Sequence, residues 1–347
     1  MDTFSDFVDY LNTNRKTLKK ELEMDKTSQL YLFYKSLFNA NYHLFKPHDP
    51  DSLNIAATDS SEFIRMLYNG KNIVLIRAYT LYENKVTKEF HADMVAVDPV
   101  EQRNFTILLM EHAEHQSIIE FLKENSPDYV FIDGSLKGRI SHLNKKLPVE
   151  GYENFMAEYF STLKKLIRTA FDKNATLIFI AKSSYTECFK KFLLNQVRKT
   201  DENSAIIEKE SAIYRNDHYL IRSFAEYPGY TAPIMYKYSL DGIDINYVST
   251  DVVPDVNDLP VKAQVISRQF ASEMLDKKAY NLDENIINLI FYGYTGYKVY
   301  NIWLVNVDKL VKFRSQEIEK LYMKQLEKTL GITFYETRGE RRARIRA

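Results

Sequence analysis

The sequence predicts an α/β fold in which a mixed sheet is flanked by helices. Strand-like and helical patterns alternate in its middle part, as a strand at Tyr129–Asp133, a helix over 152–171, a strand over 176–181 and a helix over 186–197. Alternation of this kind is typical of parallel strands joined by helical crossovers. Upstream, 73–97 has the pattern of an antiparallel meander that turns near Glu83-Asn84. Both strand orientations are therefore expected in one sheet.

The remaining elements follow from local periodicity. Amphipathic stripes predict helices over 4–24 and 31–45, and a helix that starts near Thr106 and ends before Pro127. A strand over 53–59 is expected to be followed by a short helix over 62–68. Further along we expect strands over 219–224, 234–238 and 245–248, a helix over 262–275 and a final helix over 308–330 capped by Gly331.

These elements are expected to form one domain with additions at both ends. Residues 1–50 would be a helical arm, 51–307 the core, and 308–347 a C-terminal helix followed by a basic tail rich in arginine over 338–346. No internal repeat and no low-complexity linker divides the chain.

Composition indicates a globular protein without a strong bulk charge. Hydrophobic residues make up 45% of the 347, and 47 basic residues balance 47 acidic ones. Any surface for nucleic acid must therefore arise from local separation of charge. The single cysteine, Cys188, excludes an intramolecular disulfide framework and a multi-cysteine zinc site. We expect no signal peptide and no membrane span, and hence a soluble cytoplasmic protein.

Two predicted strands end in aspartate. Tyr129-Val-Phe-Ile runs into Asp133-Gly-Ser-Leu136, and Leu53-Asn-Ile-Ala-Ala-Thr runs into Asp59-Ser-Ser. Hard divalent cations prefer oxygen ligands, and sites with two ions position the attacking and leaving oxygens of a phosphodiester. Aspartate also begins turns, so for either strand end alone a structural role is favoured.

A third carboxylate lies on the helix between these strands. Glu114 could fold back towards Asp133, and Glu111, three residues earlier, competes with it for this position. Either glutamate could instead face solvent. His112 and His115 on the same helix lack the His-Glu-x-x-His order of zinc hydrolases, so a zinc site is not expected.

Three cationic residues follow the predicted strand ends. Lys137 and Arg139 come after Asp133, and Lys182 ends the strand over 176–181. Cations beside strand-end carboxylates are suited to phosphate contacts, although lysines also serve only solubility. No Gly-rich phosphate loop and no Gly-x-Ser-x-Gly motif occurs, which argues against nucleotide-driven work and against a serine nucleophile.

Together these motifs resemble the NurA family of DNA-end-processing nucleases. The resemblance rests on four segments and extends from about residue 53 towards the C-terminal arginines. The segments are Ile55-Ala-Ala-Thr-Asp59-Ser-Ser61, Glu114-His-Gln-Ser117, Val130-Phe-Ile-Asp133-Gly-Ser-Leu136 and Ile178-Phe-Ile-Ala-Lys182.

The resemblance implies an RNase H-like fold and a homodimer to which the N- and C-terminal helices contribute. It implies Mn²⁺ or Mg²⁺ as cofactor, with two ions, and single-strand endonuclease and 5′-to-3′ exonuclease activity in DNA end resection at double-strand breaks. A hexameric ATP-driven translocase of the HerA type would be the partner. The implied metal ligands are Asp59, Glu114 and Asp133, and Lys182 would lie near the DNA path.

The sequence departs from the family pattern at two places. Ser60 follows Asp59 where the family usually has glycine. The family's C-terminal Tyr-Pro…Ala-His element is degenerate here; Tyr294, or next Tyr292, would supply the catalytic tyrosine, and only Asn301 lies near the histidine position.

The first hypothesis is therefore a metal-dependent DNA nuclease in which Lys182, with Lys137 or Arg139, holds the DNA backbone. The alternative is a catalytically weakened or silent relative that acts as an interaction partner of the translocase. A third hypothesis, a phosphatase or other small-substrate metal hydrolase, predicts activity on nucleotides and none on DNA.

Overall fold

A computed structural model describes residues 3–50, 52–182, 184–197, 203–240 and 243–333. Its helices are α1 Thr3–Leu22, α2 Gln29–Ala40, α3 Pro99–Glu124, α4 Leu136–Ser141, α5 Phe155–Asp172, α6 Cys188–Val197, α7 Ser204–Ala212, α8 Asp217–Phe224, α9 Glu284–Gly293, α10 Ile302–Val311, α11 Ser315–Glu317 and α12 Lys324–Leu330. Its strands are β1 Tyr42–Leu44, β2 Ile55–Met66, β3 Asn72–Tyr82, β4 Lys85–Val95, β5 Tyr129–Asp133, β6 Thr176–Ala181, β7 Gly229–Thr231, β8 Ile234–Leu240, β9 Ile243–Val253, β10 Val261–Ile266 and β11 Lys278–Ala279.

All these strands belong to one mixed sheet. Its main path runs β1-β7-β9-β10-β6-β5-β2-β3-β4, and β8 and β11 extend it beside β9. The pairs β2–β5 and β5–β6 are parallel, whereas β2, β3 and β4 form an antiparallel meander. The expected mixed α/β sheet with flanking helices is thus confirmed.

The register of the parallel strands determines where their polar ends meet. Ile55 pairs with Tyr129, and the pairing continues in step to Thr58 and Ile132. The next residues along the two strands are Asp59 and Asp133, so these two aspartates lie side by side. Neighbouring strands are about 4.8 Å apart, which places both carboxylates in one small region.

The two faces of the sheet are covered by different helices. Ala56, Val130 and Ile132 pack into the hydrophobic cluster that includes residues of α3 and α5. Ile55, Ala57 and Phe131 pack on the other face, with residues of α9 and α10. Because side chains alternate along a strand, Asp59 points to the face of α10, and Ser60 points to the face of α3.

Three element predictions are wrong. The segment expected as a short helix over 62–68 continues β2, which pairs with β3 as far as Met66. The strand expected over 219–224 is α8, because Asn216 caps it and its apolar residues share one buried side. The helix expected over 262–275 begins as β10, a fully buried strand that contains Lys262.

The expected single helix over 308–330 is also wrong. α10 starts earlier, at Ile302, and ends at Val311; α11, a π-helical turn over Ile318–Met323 and α12 follow after a break. Gly331 ends α12 in the left-handed conformation with φ 66°, as predicted. The basic tail over 338–346 lies outside the described residues.

Buried Arg77 fixes the C-terminal end of α10 on the sheet. From β3 its guanidinium donates to the main-chain oxygens of Val311 (2.6 Å) and Lys312 (2.7 Å) and pairs with Glu317 at 2.7 Å. α10 is thereby held across β2 and β3. Within the described residues, no helix is long and apolar enough to cross a lipid bilayer.

Candidate active site at the ends of the parallel strands

Asp133, the last residue of β5, is held by two side chains from other elements. The Nζ of Lys182, the residue after β6, lies 2.7 Å from its Oδ2. Burial and then the neighbouring Asp133 carboxylate raise the pKa of Tyr300, which lies directly before α10, and the Lys182 ammonium lies 4.5 Å from the Tyr300 ring centroid. Gly134 then takes a φ of +93°, a conformation that favours glycine, and turns the chain towards α4.

α10 brings one further carboxylate and one further lysine to this region. Asp308 lies close enough to Asp59 and Tyr300 to raise the pKa of both. Lys312, one turn later, donates to Asp308 Oδ2 at 2.7 Å. Three aspartates from β2, β5 and α10 therefore lie near one another on this face of the sheet, and Lys182 and Lys312 are the partners of two of them.

The electrostatics show that negative charge is in excess at this point. Asp59 is buried, and burial raises its pKa from 3.8 to about 8, with Glu114, Asp133 and Asp308 adding to the shift. The Ser60 N–H donates to Asp59 Oδ1 at 2.8 Å and acts in the opposite direction. A buried carboxylate with this pKa lacks sufficient positive charge nearby, and a bound cation would supply it.

Glu114 approaches from the opposite face of the sheet. From α3 its carboxylate accepts hydrogen bonds from the Ser60 hydroxyl and from the Arg139 guanidinium. Arg139 is itself buried and also donates to the Asp133 main-chain oxygen at 2.9 Å. Glu114 thus connects the two aspartate-bearing strands through Ser60 and Arg139, and Arg139 compensates its charge.

A buried polar network continues behind Arg139. Arg139 Nη1 donates to His115 Nε2 at 2.9 Å, and burial, with Arg139 next, lowers the pKa of His115 well below 6.5, so this ring is neutral. Burial opposes ionisation of Glu111, but Arg139, His142 and Tyr159 outweigh it and lower its pKa. The Tyr159 hydroxyl donates to Glu111 at 2.5 Å. Glu111 therefore belongs to this network and lies further from the strand ends than Glu114.

The expected phosphate-binding residues divide into two exposed lysines and one buried arginine. Lys182 is half exposed beside Asp133, and Lys137 is exposed with its Nζ 3.3 Å from Cys188 Sγ. Arg139 is only 1% exposed and its guanidinium is engaged with protein atoms. The prediction that Arg139 contacts DNA therefore disagrees with the structure, because the Arg139 guanidinium faces Glu114 inside the protein.

The tyrosine beside the carboxylates is Tyr300 rather than Tyr294 or Tyr292. The Tyr294 hydroxyl donates to Asp258 at 2.9 Å, and the Tyr292 ring stacks on Trp303. Asn301 is the N-cap of α10, where its side chain accepts from the Leu304 N–H. Among the tyrosines that directly precede α10, the structure thus places Tyr300 beside the carboxylates and gives Tyr294 and Tyr292 other partners.

A signal for the missed residues is present in the sequence. Asn301 begins a helix whose apolar residues Leu304, Val307 and Val311 recur at helical spacing and are buried. A helix drawn from this cap would have placed Asp308 beside Val307, at the edge of the buried face. It would also have placed Tyr300 directly before the helix.

The histidines on α3 do not form a metal site. His112 Nε2 contacts the Thr162 hydroxyl at 3.1 Å, whereas His115 contacts Arg139. In the part of the chain that the structure describes, no three His, Cys, Asp or Glu side chains converge closely enough to hold a metal ion as they stand. Each of Glu114, Asp133 and Asp308 instead has a cationic side chain as partner.

The donor chemistry at the strand ends nevertheless fits an oxygen-seeking cation. Asp59, Asp133 and Asp308 offer only carboxylate oxygens, which suit Mg²⁺ and Mn²⁺. Lys182 and Lys312 lie on the solvent side, about half and two-thirds exposed, and a bound cation would replace them as the partners of Asp133 and Asp308. The protein thus has carboxylates of the kind that bind Mg²⁺ or Mn²⁺, and two of them are paired with lysines.

Comparison with known proteins agrees with this arrangement. The family profile of the NurA domain matches residues 53–313. The crystal structure of the NurA nuclease from Sulfolobus solfataricus is similar with a TM-score of 0.62 at 15% identity, covering 95% of this chain and 98% of that one. A crystal structure of NurA with manganese gives 0.54 at 14% identity, covering 90% and 98%.

The likeness to these structures shows a shared fold, and the RNase H-like mixed sheet with flanking helices is thereby confirmed. No curated protein matches the sequence. The profile match extends from just before β2 to just after α10 and so includes Asp59, Asp133 and Asp308. Because the profile covers well over half of its residues, the chain belongs to the NurA family.

Proposed function

We propose that this protein is a divalent-metal-dependent DNA nuclease that cleaves single-stranded DNA as an endonuclease and as a 5′-to-3′ exonuclease. The observation that carries the proposal is the adjacent pair Asp59 and Asp133 at the ends of parallel strands, with Lys182 beside them. The manganese in a similar NurA structure supports a metal at this place. We propose DNA end resection at double-strand breaks, in the cytoplasm, as the setting.

Each residue of the site has a proposed role. Asp59, Asp133 and Asp308 would hold Mn²⁺ or Mg²⁺, and two ions would fit the number of carboxylates. When bound, the metal would supply Lewis-acid polarisation of the phosphodiester and activation of water. Lys182 and Lys137 would bind backbone phosphates from the exposed side. Tyr300 would lie beside Asp133 and help to orient it.

Glu114 stays in the proposed site, but with a supporting role. Its negative charge raises the pKa of Asp59, and its carboxylate anchors Ser60, the neighbour of Asp59. Arg139 already compensates its charge, and both side chains are buried. We therefore propose that Glu114 and Arg139 position the two strand ends against each other.

The test is cleavage of end-labelled single-stranded DNA with Mn²⁺, Mg²⁺ or EDTA. The wild type should cut only with metal, and Asp133→Ala should abolish cutting while its circular dichroism and unfolding temperature stay close to wild type. Asp276→Ala, which removes an exposed aspartate outside the site, is the matched control and should cut normally. Hydrolysis of nucleotides without cleavage of DNA would instead indicate a small-substrate hydrolase.

A second candidate function is a silent partner of an ATP-driven translocase. The observation in its favour is that Glu114, Asp133 and Asp308 are each paired with a protein cation. On this hypothesis the lysines stay in place and no metal binds. Absence of cutting by the wild type, also with a HerA-type translocase added, together with co-elution of the two proteins, would favour it.

The proposed partners are a HerA-type hexameric translocase and a second copy of this chain. α1 supports the homodimer, since Phe7 and Leu11 lie one turn apart and are 53% and 39% exposed. No residue of α1 belongs to the hydrophobic clusters of the described residues. A helix with exposed apolar residues on one side is suited to a partner.

A further inference from the structure

A tight turn directly before Tyr300 carries an exposed aromatic ring. Thr295 N–H donates to the Val299 oxygen at 2.9 Å, and Val299 N–H donates to the Gly296 oxygen at 2.8 Å. Gly296 has a φ of +126°, which a side chain would strain. These bonds leave Tyr297 at the tip, with its ring 75% exposed.

A second exposed ring lies on the loop that follows β6. Tyr185 is 76% exposed, yet its backbone is fixed, because the Tyr214 hydroxyl donates to its carbonyl at 2.6 Å. The next residue, Thr186, donates from its hydroxyl to Asp217 at 2.9 Å and accepts from the Asp217 N–H at 2.8 Å. The loop is held while the ring remains in solvent.

Both rings lie close to the candidate active site along the chain. Tyr185 is three residues after Lys182, and Tyr297 is three residues before Tyr300. Three residues span at most about 11 Å between Cα atoms. Lys182 and Tyr300 contact each other, with the ammonium 4.5 Å from the ring centroid. The Cα atoms of Tyr185 and Tyr297 therefore lie within about 11 Å of those of Lys182 and Tyr300, near the point where Lys182 meets Asp133.

The surroundings of Tyr297 and Tyr185 suit a nucleic acid strand. Lys298 lies beside Tyr297, with its Nζ 5.6 Å from the ring centroid. Lys137 contacts Cys188, the first residue of α6, three residues after Tyr185. Proteins that bind single strands combine cations for the backbone with aromatic rings on which bases stack. Packing among the described residues does not account for two tyrosines that are three-quarters exposed.

We propose that Tyr185 and Tyr297 are stacking platforms for bases of single-stranded DNA near the cleavage point. The inference rests on the proposed nuclease function and names the residues that hold its substrate. Because every base has an aromatic face, such stacking would not depend on sequence. The strand would lie with its backbone towards Lys182 and its bases towards the two rings.

The test is binding of a fluorescent oligo-dT strand in EDTA, where no cleavage occurs. Tyr185→Ala and Tyr297→Ala should each weaken binding by about 5- to 150-fold, since stacking on one base contributes about 1–3 kcal/mol. Tyr185→Phe and Tyr297→Phe should bind like wild type, because the ring is kept. The slope of affinity against salt should be unchanged in the alanine variants, because no charge is lost.

Tyr68→Ala is the matched control. Tyr68 is 77% exposed in the turn after β2, and seven strand residues separate Asp59 from the end of β2, about 23 Å. An oligonucleotide with abasic positions provides a second control, on which wild type and alanine variants should bind equally.

Wild-type affinity in the alanine variants, or equal losses in the alanine and phenylalanine variants, would overturn the inference. Cleavage with Mn²⁺, measured separately, distinguishes the two proposals. Binding that depends on both rings without any cleavage would refute the nuclease and keep the stacking. Cleavage with unchanged binding in both alanine variants would refute the stacking and keep the nuclease.

Discussion

At the residue scale, Asp59 should make the metal-free protein sensitive to pH. Its folded pKa of about 8 lies above its unfolded value of 3.8. Between pH 3.8 and 8 the folded state therefore retains a proton that the unfolded state has lost. The contribution of Asp59 to the free energy of unfolding is greatest below pH 3.8, falls as the pH rises to about 8 and changes no further above it. In EDTA, Asp59→Asn should remove this pH dependence, and its free energy of unfolding near pH 8 should exceed that of the wild type by a few kcal/mol.

The measurement for Asp59 is urea unfolding at pH 5, 7 and 9 with EDTA present. The difference between Asp59→Asn and wild type should grow from pH 5 to pH 7 and level off above about pH 8. Asp276→Asn, at an exposed aspartate, should show no such growth. A constant difference across the series would mean that Asp59 is ionised throughout and is already compensated by other groups.

The Asp308 carboxylate should take part in metal binding. It is the carboxylate that α10 contributes next to Asp59. Asp308→Asn should weaken Mn²⁺ binding, measured by electron paramagnetic resonance titration, by about ten-fold or more. Asp276→Asn should bind as wild type. Unchanged Mn²⁺ affinity in Asp308→Asn would remove Asp308 from the proposed ligand set.

The buried pair of Arg139 and Glu114 should be important for stability. Arg139→Met leaves the Glu114 carboxylate buried without its cation, which costs about 3–5 kcal/mol. Adding Glu114→Gln removes the uncompensated charge, so the double variant should recover a large part of the loss in urea unfolding. Equal stability of the single and double variants would show that the Arg139–Glu114 pair contributes little.

At the element scale, Arg77 should determine the position of α10. Arg77→Met would leave the Val311 and Lys312 oxygens and the Glu317 carboxylate without their donor. We expect a loss of about 2–4 kcal/mol in unfolding free energy, together with weaker Mn²⁺ binding, because Asp308 lies on the same helix. Lys88→Met, at an exposed lysine of β4, is the control and should change neither. Normal Mn²⁺ affinity in a destabilised Arg77→Met would show that α10 keeps its place without this anchor.

The elements also show how far the sequence could predict the site. Asp133 was predictable, because a short apolar run that ends in Asp-Gly is a strong local pattern for a strand and a turn. β10 was not, since buried Lys262 and Gln264 interrupt its apolar pattern and only tertiary partners such as Asp251 make them acceptable. The segment of α8 was predicted as a strand because its aromatic and β-branched residues favour strands locally. Its N-cap Asn216 and its packing stabilise a helix instead.

The contact between Glu114 and Arg139 could not be predicted for a different reason. Helical spacing makes Glu111 and Glu114 near neighbours on α3, and sequence does not tell which one faces the strand ends. That choice depends on where α4 places Arg139, a residue that the charge pattern alone assigns to the surface. Packing between elements distant in sequence therefore determines the orientation of both Glu114 and Arg139.

At the scale of the whole molecule, the sheet separates two kinds of polar site. The face of α10 carries the exposed lysines and the aspartates that would meet DNA and metal. The face of α3 carries the buried network of Glu114, Arg139 and His115, which no solvent reaches. The strand ends are thus supported from one face and open to ligands on the other, so substitutions on the α3 face should affect stability before they affect DNA binding.

The last prediction concerns α1 and the assembly. If Phe7 and Leu11 are covered by a second copy of the chain, light scattering should give twice the chain mass of 40.8 kDa. Phe7→Glu should reduce this to the mass of one chain, because a buried charge without a partner opposes association. Thr13→Glu adds the same charge on the opposite side of α1 and should leave the dimer intact. Because α1 lies outside the hydrophobic clusters of the described residues, the unfolding temperature of the core should stay the same in both variants. A wild type with the mass of one chain, or a Phe7→Glu variant that remains a dimer, would show that the apolar side of α1 serves another purpose.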